Sequence, residues 1–479
     1  MTADAKDCGD KAFSVLRCNA VRVGFLLVVS AGLVRGAVCW RSLDQYSADP
    51  DAYRAIAETL GVTGIFGLTA ESGEVIATAF RPPLYPTVLS WFLMNQHLSN
   101  AAVASLHTLL GVFAVLFTYL AALSMLPGNT SFLGPAVAAV LVMVDPLLLQ
   151  QSTVLMTETL ATTIVCLIFW WWSACRNRVH GVLFGIVLGG QLSLAFLARP
   201  TFLAWAALLV FTWFVFEMFA FGRVSKRSWK QRLFPVVVPC GVVMVALAIV
   251  VGGWMLRNVR AVGHPVWATT HGGYTLLLGN NPSFYEYLGT GWDRGTWDSE
   301  PFQIAYSHRY DGDPRTQEFW QRSWEGRRLV QDRSVLDVVT EHSDDLLAYD
   351  AAKAVIRRQP RMFLWSAVVR VCRLWNPFPS ALGGRQSWLL SLVGGYGCCL
   401  YVAMLLGAVR LGRRLLAAKW LPVLTLLVTL TAVHAFYWSN IRMRAPAVPA
   451  IALLAAAAIP PLRARRESAE QVERDAVCG

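Results

Sequence analysis

Runs of about 18 to 23 apolar residues, parted by short charged joints, recur along the chain, and at ~1.5 Å per helical residue each is long enough to cross ~30 Å of hydrocarbon. Nothing else in the sequence restricts its fold so tightly. The runs also explain a composition of 55% hydrophobic and 15% charged residues over 479 positions, a balance unlike that of a water-soluble protein. Ten spans are read, at roughly 22–40, 102–125, 132–150, 153–174, 180–198, 201–222, 234–256, 386–409, 420–438 and 446–462. The expected fold is an all-α polytopic membrane protein, with the third and fourth spans forming a tight hairpin.

The net charge of +12 would suggest nucleic acid in a soluble protein. Here the basic residues sit in alternate joints: Arg176 and Arg178; Arg223, Lys226, Arg227, Lys230 and Arg232; Arg410, Arg413, Arg414 and Lys419; and Arg463, Arg465 and Arg466. That pattern orients a membrane protein with those joints in the cytoplasm, and no nucleic acid is expected. Both termini then lie inside. Residues 41–101, the turns near 151 and 199, the stretch 257–385 and the joint 439–445 face outward. The chain divides into membrane module 1–256, extracytoplasmic region 257–385, C-terminal spans 386–463 and cytoplasmic tail 464–479. Trp40, Trp254, Trp420 and Trp438 near span ends read as part of an interfacial belt. Basic residues before the first run allow a signal peptide, but Arg35 interrupts the run and a membrane span is preferred. The ten cysteines show neither a disulfide framework nor zinc spacing.

The segment Thr269–Pro282, rich in glycine and asparagine, reads as turns and extended chain. The amphipathic segment ending at Trp375 is expected to lie on or re-enter the membrane with its second half. Charges inside apolar runs cost about 2.5–3.5 kcal/mol each at mid-helix, so Glu158, Arg199 and Arg444 need a reason. Arg199 and Arg444 are expected at the outer face, where snorkelling is the simpler reading. Glu158 is expected about one and a half turns further in. Asp145 reads as a cap paired with Pro146. In the first outer loop, Asp49-Pro50-Asp51-Ala52-Tyr53 opens an amphipathic helix that either carboxylate could cap. The string Arg81-Pro82-Pro83-Leu84-Tyr85-Pro86 follows.

The loop string ADPDAYRAIAETL, then FRPPLYP, LMTETL, LARP and WMLRNVRAVGHPVWATTHGGYTLLLGNNP resemble, in this order, the GT-C superfamily. They are most similar to its branch of protein O-mannosyltransferases and bacterial aminoarabinose transferases. The likeness covers residues 22–280 and, more loosely, the segment near Trp375 and the joint Arg442-Met443-Arg444-Ala445-Pro446. It implies a GT-C-like bundle of about ten transmembrane helices with an outer-face loop region, in the cell inner (plasma) membrane. It also implies a transferase that takes sugar from a polyprenyl-phosphate donor to a lipid, glycan or protein acceptor, without a cofactor. The family carries its catalytic Asp four residues before a Tyr, which matches Asp49 before Tyr53. Where many relatives have Glu next, this chain has Pro50, and the second carboxylate is Asp51. That Asp-x-Asp spacing makes a divalent cation conceivable, although the branch looks metal-independent. Arg81 matches the residue that meets the lipid phosphate. Arg199, Arg257 and Arg444 are further candidates for that charge, and Tyr53, Tyr85 and Glu158 for substrate contacts. A transporter or flippase of a lipid-linked substrate is the competing reading and a membrane scaffold a third, but charges at the outer face and the lack of repeats disfavour transport.

Overall fold

The computed structural model describes residues 3–126, 132–222, 229–290, 297–324, 340–379 and 387–460. The basic joint at Arg223, Lys226 and Arg227, the cluster Arg463, Arg465 and Arg466, and the tail 464–479 lie outside the described residues. The protein is an all-α polytopic membrane protein, with eight helices long and apolar enough to cross a bilayer among the described residues. Helix α1 (Ala3–Arg41) enters a folded loop that holds α2 (Tyr53–Thr63), β1 (Gly67–Thr69), β2 (Val75–Ala77), α3 (Leu84–Ser90), β3 (Leu93–Met94) and β4 (His97–Leu98). Each strand pair is an antiparallel hairpin. The tighter one turns on Asn95 and Gln96, both at positive φ, as a two-residue hairpin turn requires.

Next come α4 (Asn100–Met125), α5 (Leu133–Val144), α6 (Pro146–Gln151), α7 (Glu158–Cys175), α8 (Gly181–Ala198), α9 (Thr201–Gly222) and α10 (Trp229–Val262). A second loop region carries α11 (Gly272–Leu278), α12 (Pro282–Thr290), α13 (Glu300–Ser307), α14 (Gln317–Gln321), α15 (Glu341–Arg358) and α16 (Pro360–Trp375). Helices α17 (Ser387–Leu411), α18 (Leu421–Phe436) and, after a 3-10 turn over Ile441–Ala447, α19 (Val448–Ala456) complete the bundle.

Two expected spans are broken and a third is shortened. The third divides at Asp145-Pro146, where the Asp145 carboxylate caps α6 by accepting from the Leu148 amide at 2.9 Å, as its reading as a cap requires. Pro146 has no N–H to offer the Val142 carbonyl four residues back. Arg35 fills that place from α1, donating to Val142 at 2.7 Å and to Leu148 at 2.9 Å. The charge that interrupts the first run is therefore a fastener between helices. The fourth span starts at Glu158 rather than 153, because Ser152 and Thr153 bond back to the carbonyls of Leu149 and Gln150 and hold the turn. The tenth is the 3-10 turn, with Pro446 inside it, plus a helix of nine residues that carries Pro449 in its first turn.

The chain's alternation brings the first loop, the Ser152–Thr157 turn, Arg199-Pro200, the second loop region and the 3-10 turn to one end of the bundle. Trp420 is fully buried and so is not part of an interfacial belt. Helix α16 buries Val369, Arg370 and Leu374 and exposes Leu364 and Val368, the amphipathic division expected of it.

Candidate functional site

Four residues before α2 begins, Asp49 is already held to it. Its Oδ2 accepts from the Ala55 amide at 3.0 Å, so this carboxylate does cap the helix. Its Oδ1 is buried and has no hydrogen-bond partner among the described residues, a condition that costs free energy unless something else uses that oxygen. Between Asp49 and the helix, Ala52 takes a left-handed φ of 59°, a conformation that residues with a Cβ seldom adopt. Arg54 locks α2 in place by donating to the carbonyls of Leu98 and Tyr46 and to Asn100.

Tyr53 lies edge-on to Tyr85 with ring centroids 5.3 Å apart. Tyr85 is bonded to His107 Nε2 at 2.8 Å, and His107 Nδ1 faces the Ser152 carbonyl at 2.9 Å. Because a carbonyl only accepts, Nδ1 carries the proton and Tyr85 donates. Burial pushes the Tyr53 phenol up to about 12 and raises that of Tyr85, so both rings are neutral.

Beside them lies a charge cluster. Arg81 donates to the Asp51 carboxylate at 2.5 Å and to its carbonyl at 2.9 Å, with Phe80 under its guanidinium at 4.2 Å. Arg442 stands 4.0 Å from Asp51 and 3.3 Å from Glu158, and Arg199 stands 3.8 Å from Glu158. The Nε of Arg442 makes no hydrogen bond with Glu158, so that contact is ionic. Glu158 is the first residue of α7, not one and a half turns inside a span. There the positive end of the helix favours its charge, while its Oε2 lacks a hydrogen-bond partner among the described residues. The other hydrogen-bond contacts of the two arginines among the described residues are to thioethers: Met443 for Arg199 at 2.9 Å and Met156 for Arg442 at 3.5 Å. Sulfur is a weak acceptor, so these guanidinium donors are poorly satisfied and suited to an anion.

Arg257 and Arg444 are placed differently. Arg257 donates to the carbonyls of Thr78 and Phe66 at 2.7 and 2.6 Å, which pins the β1–β2 hairpin. Arg444 donates to the Asn376 carbonyl and to the Tyr401 hydroxyl at 2.8 Å. It faces a separate cavity of about 280 Å³ beside α6 and α17. The structure thus gathers Asp51, Arg81, Arg199 and Glu158, sets Asp49, Tyr53 and Tyr85 next to them, and leaves Arg257 and Arg444 in structural bonds. Asp49 and Asp51 take different partners.

Three residues that belong with this region escape a sequence reading. Arg442 shares a 3-10 turn with Arg444, and at three residues per turn two positions apart face different ways. His271 packs edge-on to Phe80 at 4.8 Å, and burial, aided by the charge of Arg81, holds its imidazole down to about 3 and so neutral. Glu341 accepts from Thr78 Oγ1 at 2.6 Å and from the Ala79 amide at 3.2 Å, tying α15 to the first loop across 263 positions. The segment expected as turns is helical over Gly272–Leu278. A Cβ at Gly272 or Gly273 would collide with Tyr349 or with the Asp345 backbone, so these glycines serve close helix packing rather than a bend.

Burial raises the Glu341 carboxyl to about 7, against its two hydrogen bonds and the charge of Arg257. A carboxyl raised in the folded state binds a proton more tightly there than when unfolded. Its contribution to stability is therefore complete below pH ~4.5 and is lost as pH rises through about 7. Melting of the purified protein should fall between pH 5 and 8 by on the order of 2 kcal/mol from this group. Glu341→Gln, which mimics the protonated form, should flatten that dependence. An unchanged pH profile would contradict the assignment.

No family model matches the chain, and no curated protein does. Among solved structures, the chain is similar to the Archaeoglobus fulgidus oligosaccharyltransferase tethered with an acceptor peptide containing the NVT sequon. That match has 14% identity, covers 91% of this chain and 49% of that one, and has a TM-score of 0.47. The chain is also similar to the archaeal oligosaccharyltransferase AglB from the same organism in complex with an inhibitory peptide and a dolichol-phosphate, at 15% identity, 91% and 50% coverage and TM-score 0.45. A third similarity is to ArnT from Cupriavidus metallidurans bound to undecaprenyl phosphate, at 15% identity, 91% and 77% coverage and TM-score 0.37. This chain spans about half the length of the archaeal structures.

Proposed function

We propose that this protein is a membrane glycosyltransferase of the GT-C kind, moving a sugar from a polyprenyl-phosphate donor to an acceptor at the outer face of the plasma membrane. The observation that carries the reading is a buried carboxylate oxygen without a hydrogen-bond partner among the described residues, Asp49 Oδ1, two positions before Asp51, near arginines that flank Asp51 and Glu158 and whose other donors end on thioethers. The ordered resemblance of residues 22–280 supports it. Arg81, Arg199 and Arg442 hold the phosphate of the donor, and a planar guanidinium can grip two of its oxygens at once. Tyr53 and Glu158 wall the sugar, and Tyr85, fully buried and bonded to His107, holds Tyr53 in that wall.

The acceptor hydroxyl attacks the anomeric carbon as Asp49 removes its proton. The carbon–oxygen bond to phosphate breaks, and polyprenyl phosphate leaves with the electron pair, its extra charge met by the arginines. One displacement inverts the anomeric configuration. Arg257 and Arg444 stay in their backbone bonds and hold the loops. A map of the protein with added undecaprenyl phosphate tests the binding half of this account. The phosphate should lie against Arg81, Arg199 and Arg442, and density beside Arg444 instead would contradict it.

A further inference from the structure

The second loop region forms an open cleft of about 970 Å³ between α12, α13, α14, α15 and the start of α16, at the upper end of the size range of small-molecule sites. It shares no residue with the Asp49–Arg442 cluster. Its apolar wall sets aromatic rings, with Trp320 the most exposed of them, among Ile304, Val355 and Met362. Trp320 is stacked on buried Phe302 at 5.9 Å and 5° and is fixed by donation from its indole to the Pro314 carbonyl at 2.7 Å. Trp324 is anchored to the Phe319 carbonyl at 3.3 Å. Exposed Glu286, Glu300, Gln321 and Gln359 ring the same space.

A rigid aromatic wall with carboxylates and amides on its rim matches the two faces of a sugar. The ring's C–H groups lie against the aromatic surface, and its hydroxyls donate to carboxylates and exchange bonds with amides. Two arginines, Arg322 and Arg358, line the cavity alongside three carboxylates, Glu286, Asp298 and Glu300. That near balance suits a neutral ligand better than a charged one. No strand edge borders the cavity among the described residues, so the backbone pairing by which many extended peptides bind is not available. Helix α15 begins at Glu341, on the first loop, and reaches the cavity at Arg358. At ~1.5 Å per residue that separates the two by ~25 Å, too far for one sugar to touch both.

We propose that this cavity is a saccharide-binding cleft that holds the body of an acceptor glycan while its end reaches Asp49. The role as acceptor site rests on the transferase reading, whereas saccharide binding does not. The test is saturation-transfer NMR and titration of the purified protein with linear tetrasaccharides of glucose, mannose, galactose or arabinose. At least one should bind, and Trp320→Ala should weaken it by about tenfold or more, the loss of an aromatic anchor. Because Trp320→Ala could disturb the loop fold, Gln321→Ala and Glu286→Gln, both at exposed positions, should each weaken the same sugar several-fold with unchanged melting. Asp49→Asn should bind it like the parent. Failure of all four sugars at millimolar concentration, equal binding by the rim variants, or displacement of the sugar by an unglycosylated peptide would overturn the cleft. Saccharide binding in a protein without transferase activity would leave the cleft standing and remove only its role as acceptor site.

Discussion

Asp49→Asn should lower the transfer rate by on the order of 10²-fold or more while leaving binding of the lipid donor nearly unchanged. Asparagine caps a helix about as well as aspartate does, so the bond to the Ala55 amide and the start of α2 survive the change. What disappears is the ability to take a proton. Asp49 therefore allows a separation that most carboxylates do not, because one oxygen makes a structural bond and the other has no hydrogen-bond partner among the described residues. Asp51→Asn should cost less, since it weakens the pairing that orients Arg81 and the longer contact with Arg442 but removes no proton acceptor from the reaction. The measurement is a rate at saturating donor together with a separate lipid-binding titration. An Asp49→Asn variant as active as the parent would remove this residue as the base. Loss in Asp51→Asn alone would move the base two residues along.

The second large effect distinguishes the two arginines of the 3-10 turn. Arg442→Ala should lose on the order of 10²-fold in transfer, because it removes a cation that meets the leaving phosphate, and Arg442→Lys should recover part of it by restoring the charge without the fork. Arg444→Ala should instead lower the melting temperature. It strips the Asn376 carbonyl and the Tyr401 hydroxyl of their partner, and the rate per folded molecule should hold. Arg442→Ala also leaves Glu158 with Arg199 as its only ion-pair partner among the described residues, so melting must be measured beside activity. The opposite pattern, with activity lost at Arg444 and kept at Arg442, would place the phosphate in the cavity beside α17.

Long apolar runs are legible because hydrophobic length alone identifies a helix that crosses a bilayer. The break at Asp145-Pro146 is legible in part for the same local reason, since a capping residue before a proline is a helix start. Asp49, Arg81 and Glu158 can be picked out because each sits in a short motif or pays a visible cost in an apolar setting. What local sequence does not carry is the partner. Nothing near Arg35 says that it will replace the missing amide of Pro146. Nothing near Glu341 says that it will grip Thr78 and Ala79. Gly272 and Gly273 read as a turn until Tyr349 and Asp345 are seen against them. The proposed choice of Arg442 over Arg444 needs the helical phase of a turn that Pro446 makes irregular.

The most direct test of the account is transfer itself, with purified protein, radiolabelled polyprenyl-phosphate sugars of several kinds, and a membrane extract as the source of acceptor, in buffer containing EDTA. The account predicts that label from at least one donor lipid moves to a new product with inverted anomeric configuration, and that EDTA does not stop it. No transfer from any donor, with the same lipids instead moved across a vesicle membrane by the reconstituted protein, would contradict it and establish a transporter in its place.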